Sequence, residues 1–94
     1  MLRFTHENTL KPKVPSGQGI YKFYDSNKRL LYVGHAKNLR HRIQSYRQDD
    51  DFQAHPTKLD LRPRIKYYAY EAMPVAQAQR IEKTIKKQAP YNYL

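Results

Sequence analysis

Apolar and polar positions change rhythm several times along the chain, and each change marks an element. Between Gly19 and Gly34, the runs GIYKFY and RLLYVG are rich in β-formers and flank the polar stretch Asp25-Ser26-Asn27-Lys28. That pattern predicts a β-hairpin. From Asn38 to Gln48 the period becomes helical, with Leu39, Ile43 and Tyr46 recurring on one face. Asn38 can cap this helix through its side-chain carbonyl. Asp49-Asp50-Asp51 ends it, because negative charge is unfavourable at a helix C-terminus. Residues 49–63, with Pro56 and Pro63, read as a long loop, and RIKYYAYE (64–71) reads as a third strand. Pro74 suits a first helical position, and Ala78, Ile81 and Ile85 mark a second helix over about 75–88 that stops at Gln88-Ala89-Pro90. Residues 1–16, punctuated by Lys11-Pro12-Lys13 and Pro15-Ser16, read as an extended lead-in. The expected fold is α+β in the order β-β-α-β-α. A three-stranded antiparallel sheet is flanked by helices in a single domain over 17–94.

A hairpin centred between Ser26 and Asn27 sets a register. It places Tyr21 opposite Tyr32, Gly19 opposite Gly34, Ile20 opposite Val33 and Phe23 opposite Leu30. Directly opposed residues share a face. Two tyrosines would then stand together near the open end of the hairpin, flanked by a glycine pair where a backbone or ligand could approach closely.

Composition narrows the class of protein. The 94 residues, 39% of them hydrophobic, suffice for one modest core. The absence of cysteine excludes disulfides and thiolate zinc sites. No apolar run is long enough to span a membrane, and the N-terminal residues lack the apolar stretch of a signal peptide. A cytoplasmic protein, monomeric or weakly dimeric, is the expectation. Lys and Arg number 18 against 8 Asp and Glu, a net charge of +10 that points to a polyanionic partner, most often nucleic acid. The aromatics are nine Tyr and three Phe, an excess that serves a polar site as readily as a core.

Gly19-Ile20-Tyr21, ten residues, then Tyr32-Val33-Gly34 resembles the GIY-YIG nuclease domain. The segment from His35 to Tyr46 is similar to that family's first helix. Glu82 to Lys87 followed by Pro90-Tyr91-Asn92 is similar to its closing helix and Asn-bearing tail. The likeness covers residues 17–92 and is nearest in style to the incision subunit of bacterial nucleotide-excision repair. It implies an endonuclease that hydrolyses DNA phosphodiester bonds with one Mg²⁺ or Mn²⁺, in repair or recombination. Tyr21, Tyr32, Arg42, Tyr46, Glu82 and Asn92 are then the catalytic set, with Glu82 the metal ligand. Gly34, His35, Lys37, Arg40 and Lys86 would bind substrate. His35 departs from the lysine common in the repair nuclease, and Val33 replaces an isoleucine.

The chemistry of these residue types agrees with that assignment. A hard cation takes carboxylate oxygen and keeps several waters, so one glutamate suffices; an alternative for Glu82 is a surface pair with Lys86. Arg42, four residues before Tyr46 and on the same helix face, can grip phosphate through two hydrogen bonds. Tyr21 or Tyr32 would take or relay a proton, Tyr21 being preferred, and Tyr46 would bond the phosphate. Asn92 would donate to substrate or fix a neighbour. His6, His41 and His55 form no ligand cluster, and the aspartates at 49–51 do not converge. With no room for a separate specificity domain, structure-selective or partner-directed cleavage is expected, possibilities that leave DNA and a specificity-conferring protein as partners. The alternatives are a non-catalytic nucleic-acid-binding module of the same fold and a ribosome-associated basic protein.

Overall fold

A computed structural model describes residues 1–5, 7–9, 14–47 and 61–92. Its elements are β1 (Leu2–Arg3), β2 (Gly19–Tyr24), β3 (Leu30–Ala36), α1 (Leu39–Ser45), β4 (Tyr67–Ala72) and α2 (Val75–Ile85). Short 3₁₀ turns lie at Glu7–Thr9, Arg62–Arg64, Lys86–Gln88 and Pro90–Asn92. The order β-β-α-β-α is present, preceded by one more strand. The sheet is antiparallel with order β1-β4-β2-β3, so it has four strands and not the expected three. The extra strand comes from the lead-in, where Leu2 pairs with Tyr68 and Arg3 with Tyr67. The lead-in also contributes to the core, since Val14 and Thr9 are fully buried. Most of the long loop expected at 49–63 lies outside the described residues.

The hairpin register differs from the expected one by two residues. Tyr21 faces Gly34 and Phe23 faces Tyr32. Two local insertions cause this. Asp25 closes the turn onto Arg29, its carboxylate accepts the N–H groups of Asn27 and Arg29, and Lys28 takes the left-handed conformation at φ 61°. That is a three-residue loop, one longer than a two-residue turn. Leu31 is then passed over as Tyr24 pairs with Leu30 and Phe23 with Tyr32, a β-bulge. Two single-residue shifts restore the parity of the strand. Tyr21 and Tyr32 therefore keep a common face as diagonal neighbours, with ring centroids 6.2 Å apart.

Each face of the sheet carries a helix. On one, Tyr21, Phe23 and Tyr68 pack with Leu39, Ile43 and Tyr46 of α1 and with Leu61 and Ile65. On the other, Ile20 and Val33 pack with Ala78 and Ala89, backed by Ile81 and Ile85, the stripe expected of α2. Helix α1 starts where Asn38 Oδ1 accepts the His41 N–H at 3.0 Å. It ends near Ser45, whose hydroxyl donates back to the Arg42 carbonyl at 2.6 Å. Pro74 is the cap residue of α2 and not its first helical position. Proline has no capping side chain, and Gln18 does the work from across the sheet: its Oε1 accepts the Val75 N–H at 2.9 Å.

Candidate active site

Three tyrosine hydroxyls meet where β2, β3 and α1 converge. Tyr21 is buried on β2 because Gly34 opposite it has no side chain. A Cβ on Gly34 would lie 2.5 Å from both Cζ and Oη of Tyr21. Tyr46, just past the end of α1, reaches the same point, and its hydroxyl lies 3.3 Å from that of Tyr21. The Tyr46 side chain also bonds to Tyr32, which is half-buried on β3. The ring centroids of Tyr32 and Tyr46 are 6.0 Å apart. The hydroxyls thus form a chain from the interior at Tyr21 to the surface at Tyr32.

The charge environment separates the three. Burial drives the Tyr21 pKa well above its ordinary value, with the neighbouring Tyr46 and Tyr32 adding to it and the Arg42 cation opposing. Tyr46 is raised for the same leading reason, again against Arg42. Arg42 is exposed on α1 and close enough for its charge to act on both hydroxyls. Tyr21 is therefore held as a buried neutral phenol with its hydroxyl engaged by Tyr46, whereas Tyr32 is half-exposed.

A second group forms on the opposite face of β3. His35 Nδ1 is hydrogen-bonded to Glu82 Oε2 on α2, and Gln79 Nε2 lies 3.4 Å from His35 Nε2. Glu82 sits three residues after Gln79, so one turn of helix presents both to the same imidazole. The Glu82 side chain is 20% exposed. Its side-chain partner among the described residues is His35, so the alternative pair with Lys86 does not form there. His35, Lys37, His41, Arg42 and Gln79 line a cleft of about 390 Å³ between α1 and α2. Its charged lining is basic, apart from the neighbouring Glu82 carboxylate.

Other expected site residues have structural partners. Asn92 clips the outer edge of β3: its Oδ1 accepts the Val33 N–H at 2.9 Å and its Nδ2 donates to the Val33 carbonyl at 2.8 Å. These two bonds tie the residue to the strand beside it. Arg40 turns away from the cleft, with Nε donating to the Val14 carbonyl at 2.8 Å. Gly34 is buried beneath the Tyr21 ring. Gly19 likewise makes room for the chain itself, since a Cβ there would lie 2.3 Å from the Glu71 carbonyl oxygen. Lys37 is exposed at the cleft and Lys86 is half-buried on the turn after α2. Gln79 was missed by sequence reading; its place three residues before Glu82 is the signal that could have found it.

The sequence profile of the UvrC-like GIY-YIG domain matches residues 17–93. This chain belongs to the UvrC-like GIY-YIG domain family. A 68-residue stretch of this GIY-YIG domain is 44% identical to the UvrABC system protein C of Helicobacter hepaticus, covering 72% of the chain and 10% of that protein. A 43-residue stretch is 54% identical to the protein of the same name from Corynebacterium aurimucosum, covering 46% of the chain and 6% of that protein. The chain spans a tenth or less of the length of these relatives. The GIY-YIG N-terminal endonuclease domain of UvrC from Thermotoga maritima, solved bound to its catalytic divalent cation magnesium, has the same fold. It superposes with a TM-score of 0.72 at 24% identity, covering 92% of each chain.

The chemistry of Glu82 suits a divalent cation. It offers a partly exposed carboxylate beside a cleft, with one oxygen engaged by His35. Among the described residues no group of three or more His, Cys, Asp or Glu converges. Such a donor set fits an ion that keeps most of its waters. No helix among the described residues is long and apolar enough to cross a membrane.

Proposed function

We propose that this GIY-YIG domain is a divalent-metal-dependent endonuclease that hydrolyses DNA phosphodiester bonds, directed to its target by DNA structure or by a protein partner. The named relatives are components of the UvrABC system, which favours a role in excision repair. The observation that carries the reading is the pairing, across one strand, of the tyrosine hydroxyl chain with the carboxylate of Glu82. A non-catalytic module would need neither a polar chain through its core nor a carboxylate facing a basic cleft.

Glu82 would hold the cation, which would supply Lewis-acid polarisation of the phosphoryl oxygen and a more acidic water when bound. Arg42 faces the phosphate and offsets the charge that develops on its non-bridging oxygens. Tyr32, at the surface end of the hydroxyl chain, relays a proton: it takes one from the attacking water as its own phenolic O–H proton passes to bulk water or to a phosphate oxygen, and Tyr46 donates a hydrogen bond to its oxygen. Tyr21 anchors the inner end. This moves the proton-accepting role from Tyr21, the residue preferred on sequence grounds, to Tyr32. Lys37 adds phosphate attraction that is independent of sequence.

Cleavage of supercoiled plasmid and branched oligonucleotides tests the reading, with Mg²⁺ or Mn²⁺ and with chelator. Wild-type nicking should vanish with chelator and fall by at least about a hundredfold in Glu82→Ala, the scale of losing a principal electrostatic contribution. DNA binding by Glu82→Ala should persist, with affinity falling steeply as salt rises. Metal-independent nicking, or full activity in Glu82→Ala, would refute it.

A further inference from the structure

Two polar side chains besides Glu82 meet at the edge of the cleft. His35 Nδ1 is in hydrogen-bond contact with Glu82 Oε2, and Gln79 approaches the outer ring nitrogen at 3.4 Å. The imidazole is therefore held at both ends, with its Nδ1 edge turned to the carboxylate. Both groups remain open to water and ions, at 36% and 20% side-chain exposure for His35 and Glu82. The second carboxylate oxygen has no hydrogen-bond partner among the described residues.

We propose that His35 Nδ1 and Glu82 bind one divalent cation together, so that this site takes first-row transition dications such as Co²⁺ and Zn²⁺ in preference to Mg²⁺. The inference rests on the endonuclease reading only in taking Glu82 as the cation's carboxylate. Imidazole nitrogen and carboxylate oxygen bind such ions at about 2.1 Å, so two donors on one ion stand about 3 Å apart, which is hydrogen-bonding distance. The pair is already as close as a shared ion requires. Binding uses the tautomer whose N–H is on Nε2, so that Nδ1 presents a lone pair in place of a donor. Gln79 can accommodate that tautomer, because its amide carries a carbonyl acceptor as well as N–H donors and can turn from one to the other. The nitrogen adds affinity for borderline ions and little for Mg²⁺, which prefers oxygen ligands and retains its waters. His41 lines the same cleft but is paired with no carboxylate among the described residues.

Calorimetric titration of Mg²⁺ and Co²⁺ into the untagged chain tests this, with wild type, His35→Gln, His41→Gln and Glu82→Gln compared. Wild type should bind Co²⁺ about a hundredfold more tightly than Mg²⁺. His35→Gln should weaken Co²⁺ about tenfold to a hundredfold while leaving Mg²⁺ within about threefold, and His41→Gln should change neither. Independently of any variant, Zn²⁺ should displace the Nδ1 resonance of His35 in long-range ¹H–¹⁵N spectra of the wild-type rings. Equal weakening of both cations in His35→Gln would make His35 a residue that only positions the carboxylate, and would overturn the ligand assignment. So would unchanged Co²⁺ affinity or an unmoved Nδ1 resonance. If Glu82→Gln retains both cations, the carboxylate holds no ion, and the endonuclease reading falls with the proposal.

Discussion

Gly34→Ala isolates the steric basis of the site in a single methyl group. The added Cβ would lie 2.5 Å from Cζ and Oη of Tyr21 and 3.0 Å from Cε1, so the ring must move. The ring is confined by Phe23, Tyr32 and Tyr46, with centroids 5.3, 6.2 and 5.9 Å away, and its hydroxyl is bonded to Tyr46. Overpacking of this kind costs about 1–3 kcal/mol. Backbone strain plays no part, because no glycine described has positive φ. In a strand without that constraint, Ala is otherwise better than Gly by about 0.5–1 kcal/mol. The expected net destabilisation is about 1–2 kcal/mol, or roughly 10 °C in Tm for a domain of this size. Urea unfolding gives the free energy, and a double-mutant cycle with Tyr21→Leu assigns it. In the Tyr21→Leu background all three close atoms are gone, so Gly34→Ala should there be neutral or mildly stabilising. The reasoning fails if Gly34→Ala is harmless in the wild-type chain, or equally costly in both backgrounds. Nicking should fall with the displacement of the tyrosines.

Two further outcomes follow from the same geometry. Asn92→Ala removes both bonds to the Val33 backbone and should destabilise by about 1–3 kcal/mol, with faster hydrogen exchange at the Val33 amide; unchanged exchange would count against the clip. Asn92→Asp keeps the acceptor but sets a carboxylate against the Val33 carbonyl, so it should not restore stability. The raised pKa values of Tyr21 and Tyr46 make the fold sensitive to alkali. Below about pH 10 both groups are protonated in folded and unfolded chains, and stability is unaffected by them. Above it the unfolded chain releases protons that the folded chain retains, so stability falls with rising pH, by up to about 1.4 kcal/mol per pH unit for each tyrosine. Absorbance at 295 nm should show these tyrosines ionising only as the protein unfolds, and full titration of all nine in the folded state would contradict their burial.

Much of this arrangement is legible in the sequence, and the exceptions have physical causes. The hairpin, both helices and the apolar stripe Ala78-Ile81-Ile85 follow from local periodicity. The common face of Tyr21 and Tyr32 survives a wrong register because the two insertions, at the turn and at Leu31, cancel in parity. Neither insertion could be foreseen: Lys28 adopts a conformation usually left to Gly or Asn, and a bulge depends on its partner strand. Strand β1 is two residues long, and its pairing with β4 spans more than sixty residues of sequence. The Gln18 cap, the Arg40 bond to Val14 and the Asn92 clip are likewise long-range matches between single side chains and backbone groups. The candidate site was legible as a set of residue types. What the sequence withheld was its division into a hydroxyl chain on one face of β3 and an imidazole–carboxylate pair on the other.

The clip formed by Asn92 has a consequence for how this domain meets other chains. Strand β3 lies at the end of the sheet, where an outward row of N–H and C=O groups invites another strand to add on, in aggregation or in domain swapping. At Val33 a side-chain amide occupies that row with the donor and acceptor of a peptide group, so one residue acts as a false neighbouring strand. The same strand carries Tyr32 and His35, and its outer edge must stay free of intruding backbone if DNA is to reach them. Asn92 is in this sense a gatekeeper against self-association as well as a brace for the strand beside it.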